Sequence, residues 1–441
     1  MSTLGQLRNL WVPWVTTMVL FCFSHAVAQT VKPAPSWTQN NAYQAWEGFK
    51  NYFYTSVLNK GDIIAEKQNG NEWSSMWQEA EEIEVAEDAF YWAQKIPGGD
   101  TSNYLAHVNN LSQGFIDNMT PAFYTVSYLD WSGNRFNDDL MWASIAFARA
   151  YQITGKKNAT WLQAAENQFN AVWKRAQAGN GGLIQSQKPT PEQPDPNWVP
   201  NEDAPVNFAF VIAGYLIYDN APSTDPDRES YKDHADTVYA WASANLFGAA
   251  DLPLGSGCSG QTGLTCVKIF DSNNRSIPNY DTPCKIDPTH DCRGHSDFAY
   301  NYGIAIQAAV REAGTDNDAK AQEIANYLMF NIPNTSNYPY VIQYVTANAT
   351  YNVLPNYGQG GVNDAGYNGI ALRGVGLGLD RTILNATTLA WAQANIQAAW
   401  DIKNSDNVMW NDWSKTPSAY TYFSWDCSSA VAGMLDIAPP N

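Results

Sequence analysis

Charge is what this sequence has least of. Only 15% of its 441 residues are Asp, Glu, Lys or Arg, and the bases number 25 against 43 acids, a formal charge of −18. So few Lys and Arg cannot neutralise a phosphate backbone, which excludes a general nucleic-acid binder. The same deficit disfavours adsorption to anionic lipid. Long apolar runs are missing after the first thirty residues, so no membrane span is expected. The final residues, Leu435-Asp436-Ile437-Ala438-Pro439-Pro440-Asn441, lack the hydrophobic tail of a lipid-anchored protein, so no membrane anchor is expected either. No G-x-S-x-G elbow, phosphate loop or dinucleotide fingerprint occurs, and no cofactor is implied. Histidines are few and scattered. His290 and His295 share a loop with Asp287 and Asp291, yet such loops are more often solvated than metal-binding. Asp225-Pro226-Asp227 begins like half a calcium loop and lacks the ordered ligand series. No metal is expected.

Aromatic residues are plentiful: 18 Trp and 24 Tyr. With so little charge, polar surface must come largely from Asn, Gln, Ser and Thr. Aromatic faces beside neutral polar groups suit a sugar, whose ring has an apolar face and a rim of hydroxyls. Most individual Trp residues nevertheless belong to a core.

Residues 1–28 read as a secretory signal. Arg8 precedes an apolar stretch from Leu10 to Phe23, and Ala26-Val27-Ala28 is a small-x-small cleavage site. Setting aside Cys22 leaves five cysteines. Cys258/Cys266 and Cys284/Cys292 are spaced for two local disulfides in an oxidising compartment, with Cys427 a buried thiol. Neither pair has the tight spacing of a zinc site. Asn-x-Ser/Thr acceptors stand at Asn110, Asn118, Asn158, Asn274, Asn334, Asn348 and Asn385. The expectation is a secreted, extracellular, glycosylated monomer.

Helical periodicity recurs through the rest of the chain. It predicts helices over 43–58, 77–95, 101–118, 138–154, 159–177, 204–219, 229–247, 297–314, 317–330, 365–379, 386–403 and 427–436. Strand-like alternation is scarce, with one candidate hairpin between Tyr338 and Tyr351. No linker divides the helices, so 29–441 reads as one domain. Segments apolar nearly all round (138–154, 204–219) alternate with segments carrying one apolar stripe (159–177, 229–247). This pattern predicts an all-α fold, an (α/α)6 barrel of six inner and six outer helices. The inner starts are read at Glu87-Asp88, Asn137-Asp138-Asp139, Asn201-Glu202-Asp203, Ser296-Asp297, Asn363-Asp364 and Ser424-Trp425-Asp426. Such residues are favoured N-caps. With the inner helices parallel, they also gather carboxylates at one mouth.

Asp138 and Asp139 are adjacent at such a start. Deep in a helix, neighbours point about 100° apart and cannot share a site. On the first turn both can face one cavity. Glycoside hydrolysis needs two carboxyl groups about the scissile bond, one ionised and one protonated. Mutual repulsion and burial would raise one pKa and leave the other ionised. Closeness in sequence favours the short separation of the retaining route.

The flanking sequence is Trp131-Ser132-Gly133-Asn134-Arg135-Phe136-Asn137-Asp138-Asp139-Leu140-Met141-Trp142, continuing through an apolar helix to Gly155. It resembles glycoside hydrolase family 76, the endo-α-1,6-mannanases, whose hallmark is aromatic-x-Asp-Asp-x-x-Trp opening an inner helix of an (α/α)6 barrel. Gly181-Gly182-Leu183-Ile184, Asn201 to Asn207, Tyr300-Asn301-Tyr302-Gly303, and Asp364 with Gly369 and Arg373 resemble further landmarks in the family's order. The resemblance spans roughly residues 40–437 and implies a retaining hydrolase of α-1,6-linked mannan. It implies Asp138 as nucleophile, Asp139 as general acid/base, and Asn207, Tyr300, Asn301 and Asp364 as sugar contacts. Gln185 departs from the Trp that often follows the Gly-Gly turn, and Tyr302 from the usual Gln. The alternatives are a cell-wall transglycosidase using the same aspartates and a non-catalytic carbohydrate-binding relative. Lyase chemistry on uronic acids would want a basic cleft, which so acidic a chain disfavours.

Overall fold

The structure, a computed structural model, describes residues 30–440 apart from 58–59, 69, 71, 120–124, 190–194, 197, 249–257, 259–260, 262, 275–276, 278–292, 295, 313, 335–341, 346–349, 359 and 415–420. The signal-like residues 1–28, the Cys284/Cys292 pair, and His290 and His295 with Asp287 and Asp291 lie outside the described residues.

Twelve α-helices are present among the described residues: α1 (Gln39–Phe53), α2 (Met76–Lys95), α3 (Ser102–Met119), α4 (Asn137–Ile153), α5 (Ala159–Arg175), α6 (Ala204–Asn220), α7 (Arg228–Asn245), α8 (Ala299–Glu312), α9 (Thr315–Phe330), α10 (Tyr367–Asp380), α11 (Ala386–Asp401) and α12 (Ser424–Asp436). Each falls on a segment with helical periodicity. Local chemistry sets the starts. Thr38 closes a capping box on α1, while Asp203, Asn158 and Asn385 cap α6, α5 and α11 through their side chains. Pro205 fits the first turn of α6, where its missing N–H costs nothing.

The even-numbered helices form a closed inner ring. Each packs on the next, α2 on α4, α4 on α6, α6 on α8, α8 on α10 and α10 on α12, and α12 returns to α2. Odd-numbered helices wrap outside, α3 against α2, α5 against α4, and α7 against α6. The fold is therefore the all-α (α/α)6 barrel expected from the alternation. Burial follows the layers: every residue of α6 from Ala204 to Ile217 is buried, whereas α5 buries one face only. Between layers, the rings of Phe169 (α5) and Phe210 (α6) stack at 4.1 Å, an aromatic pair worth about 0.5–1.5 kcal/mol beyond its area.

Strands are short and peripheral. Strand β1 (Thr30–Lys32), which periodicity does not reveal, pairs in parallel with β2 (Ile342–Val345), and β2 runs antiparallel to β3 (Thr350–Asn352) in the hairpin read between Tyr338 and Tyr351. Cys258 and Cys266 form a disulfide and Cys427 is a buried free thiol, as the spacing suggests. Asn274 is committed to Asn201 and to the Glu202 amide.

One reading fails. Glu87-Asp88 opens no helix; α2 begins eleven residues earlier, at Met76 behind Ser75. Glu87 and Asp88 are wholly buried at the other end of the barrel. There Arg149 of α4 reaches Glu84, Glu87 (3.2 Å) and Asp88 (2.5 Å), and Arg373 of α10 reaches Asp88 (2.9 Å) and Glu81 (2.6 Å). These buried carboxyls endure desolvation because two guanidinium forks answer them from across the ring.

Candidate active site

The other inner-helix starts gather at one mouth, and the start of α4 is its best-braced part. Arg175, at the end of α5, donates from Nε to Asn137 Oδ1 (2.8 Å), from Nη2 to the Asn134 carbonyl (2.6 Å) and from Nη1 to the Ser132 carbonyl. One guanidinium thus fixes the loop that leads into Asp138. The Asn137 amide donates to the Gln185 carbonyl at 2.6 Å, and its side chain to the Ile184 carbonyl at 2.6 Å. The Gly-Gly turn is thereby fastened beside α4. Gly182 must be glycine: a Cβ there would stand 2.4 Å from Glu202 Oε1 and 2.5 Å from the Trp241 ring.

The turn presents Gln185 to the aspartates. Its Nε2 donates to Asp138 Oδ2 at 3.2 Å, whereas Asp139 Oδ2 accepts from Asn134 Nδ2 at 2.8 Å. Both residues are half-buried, and Asp138 Oδ1 is buried without a hydrogen-bond partner among the described residues. Burial raises the pKa of each. Asp138 is pushed up to about 6, held down by Gln185 and by first-turn backbone amides. Asp139 is pushed up to about 8, because the Asp138 charge adds to burial and one amide only partly offsets them. Near neutral pH the pair therefore holds one ionised and one protonated carboxyl.

Other groups face the pair. Asp203, the buried cap of α6, has its carboxyl raised well above the ordinary range by burial and by the Asp138 charge. Tyr300 at the start of α8 stacks on Tyr367 at the start of α10, ring centroids 4.0 Å apart, with Phe298 and Tyr357 packed beside them. Burial and then the charge of Asp364, just before α10, raise the Tyr367 phenol above its ordinary range. Phe136 stands exposed on the lip, the Arg135 guanidinium 4.8 Å from its ring centroid. The arrangement offers two carboxyls in opposite charge states before a polar, aromatic wall.

Four of the six site residues read from sequence, Asp138, Asp139, Tyr300 and Asp364, lie at this mouth. Asn207 and Asn301 are instead fully buried, and the Asn301 side-chain amide has no hydrogen-bond partner among the described residues. Asn207 is fully buried; it accepts from the Leu183 amide (2.9 Å) and donates to the carbonyls of Leu183 (3.0 Å) and Asp203 (2.8 Å), which ties the Gly-Gly turn to α6. Asn301 has no exposed surface with which to meet a ligand. Conversely, Gln185 reads in the sequence as a departure from a family pattern, yet it holds Asp138. Asn134 and Tyr367 were signalled only by nearness to Asp139 and Asp364. Among the described residues, no cluster of three or more His, Cys, Asp or Glu is arranged to hold a metal ion, and no helix is long and apolar enough to cross a membrane.

No family model matches the sequence, and no curated protein matches it. Solved structures do. An α-1,6-mannanase of glycoside hydrolase family 76 from a Salegentibacter species superposes with a TM-score of 0.63 at 19% identity, covering 90% of this chain and 98% of that one. A family 76 mannosidase from Bacteroides thetaiotaomicron gives 0.63 at 16% identity over 90% and 96%. The chain has the fold of glycoside hydrolase family 76. Inactive variants of the Salegentibacter family 76 enzyme, each with two consecutive aspartates replaced, are in complex with α-1,6-mannotriose and with α-1,6-mannotetrose; the latter superposes with a TM-score of 0.64 at 17% identity over 91% and 98%.

Proposed function

We propose that this chain is a secreted glycoside hydrolase that cuts within α-1,6-linked mannan and retains anomeric configuration. The observation that carries the reading is the pair Asp138/Asp139, adjacent on one helix turn at the barrel mouth yet hydrogen-bonded by different partners, Gln185 and Asn134. The Salegentibacter enzyme supports it, since replacing two consecutive aspartates accompanies inactivity and trapped α-1,6-mannosides there. Residues 1–28 and the Cys258–Cys266 disulfide support secretion.

In the first step the Asp138 carboxylate attacks the anomeric carbon as the glycosidic C–O bond breaks, and the Asp139 proton passes to the departing oxygen. This leaves a mannosyl ester on Asp138 and an ionised Asp139. In the second step Asp139 takes a proton from water, whose oxygen attacks the same carbon and frees Asp138. Gln185 steadies the carboxylate that must be ionised at the outset. The stacked Tyr300 and Tyr367 present aromatic edges to a sugar ring, and Asp364 a hydrogen-bond acceptor for its hydroxyls.

The test incubates the purified protein with linear α-1,6-mannan and follows products by mass and anomeric NMR, beside Asp138→Asn. Short α-mannosides from the wild type alone support hydrolysis with retention. Products longer than the supplied chains would replace it by transglycosylation. No turnover of any α-mannan would overturn the reading.

A further inference from the structure

The end of the barrel opposite the aspartate pair holds a cavity of about 370 Å³, lined by residues from the C-terminal ends of all six inner helices. Along α4 it begins about 16 Å from Asp138, from 1.5 Å rise per residue. Most charges on its wall are paired. Arg149 and Arg373 belong to the carboxyl network of α2, and Lys95 pairs with Asp380 at 2.5 Å. Two guanidiniums are left over. The Arg311 side chain, on the last turn of α8, is in no ion pair among the described residues, and its Nε is buried without an acceptor. Arg381, at the rim after α10, donates only to the Val310 carbonyl (3.1 Å) among described residues. Burial and then the charges of Arg381 and Arg149 push Arg311 down to about 10, with Asp219 a lesser counterweight. Asp219 is exposed at the rim, burial raises the Asp436 carboxyl well above its ordinary range, and neither forms an ion pair with Arg311 or Arg381.

A guanidinium whose Nε is buried without an acceptor is costly, and in so acidic a protein the missing partner is conspicuous. Amides of Gln152, Asn220 and Gln307 share the wall and can donate as well. We propose that this cavity is a binding site for a small oxyanion, bridged between Arg311 and Arg381 and separate from the catalytic mouth. Guanidinium forks match tetrahedral or planar oxyanions, and the space admits a group the size of phosphate with its waters.

The experiment titrates the full-length protein with inorganic phosphate by calorimetry, against sodium chloride at matched ionic strength. Arg311→Gln and the rim substitution Arg381→Gln are run in parallel. Saturable phosphate binding, with affinity reduced about tenfold or more in each variant, is expected from the loss of a charge-assisted contact. If Arg311→Gln does not fold, the exposed Arg381 variant decides alone. Binding no stronger than the chloride response, or unchanged by the substitutions that fold, would overturn the proposal. Turnover of mannan by both variants should equal the wild type, because the two sites lie at opposite ends of the ring.

Discussion

Gln185 Nε2 lies 3.2 Å from Asp138 Oδ2, reaching it from a turn 47 residues further along the chain. The neighbouring Asp139 relies instead on Asn134 in its own loop. Two separately supplied amides thus tune two adjacent carboxyls.

That separation fixes a pH signature. With burial pushing Asp138 up to about 6 and Asp139 up to about 8, kcat/KM on α-1,6-mannan should be bell-shaped between those limbs. Gln185→Ala removes a donor that favours the Asp138 carboxylate, so the acidic limb should move to higher pH. Asn134→Ala should move the alkaline limb upward for the same reason. Limbs that stay in place in both variants would dissociate these amides from the titration.

Replacing the carboxyls should divide activity from stability. Asp139→Asn should lower kcat by about 10²–10⁴, the usual contribution of a positioned acid/base, and Asp138→Asn by at least as much. Thermal unfolding should be unchanged or shifted upward, because either substitution replaces a carboxyl whose ionisation burial penalises. A marked loss of stability would mark them as caps of α4 instead.

Asn207→Ala should act through stability alone. It leaves the Leu183 amide and carbonyl buried without partners, at a cost of about 1–3 kcal/mol. Denaturant unfolding should register that loss while KM for mannan holds. A raised KM with unchanged stability would restore Asn207 as a sugar contact.

Stability should fall from mildly acid to alkaline pH. Burial raises Glu79 and Glu202 to about 8 and Asp426 to about 6, each above its ordinary value. A carboxyl with a raised folded pKa binds its proton more tightly in the folded state. Its contribution is complete below its unfolded pKa, near about 4, and is lost as pH climbs through the folded value. The melting temperature should be higher at pH 5 than at pH 8.5, checked by scanning calorimetry.

The helices and their two layers were legible in the sequence because burial on one face or on all faces leaves a 3.6-residue signature. Asp138 and Asp139 stood out because their flanks carry a family pattern. What escaped depends on partners far along the chain. Glu87 and Asp88 look like a cap by composition, and only Arg149 and Arg373, delivered by two other helices, make them an interior network. The amide of Asn207 serves a backbone 24 residues away, a relation that no spacing rule encodes. Gln185 is ordinary as a residue and acquires its role only when the Gly-Gly turn is bound to Asn137.

The return of α12 to α2 has a bearing on how the molecule is made. A growing chain can dock α3 on α2 and α5 on α4 as they emerge, but the ring stays open until residues 424–436 have left the ribosome. Until then α2 exposes the face that α12 will cover, with Glu82 still lacking its Ser424 partner. The cleft is therefore complete only once α12 has docked against α2 and α10, so its two walls are joined by the latest-made of the described inner helices.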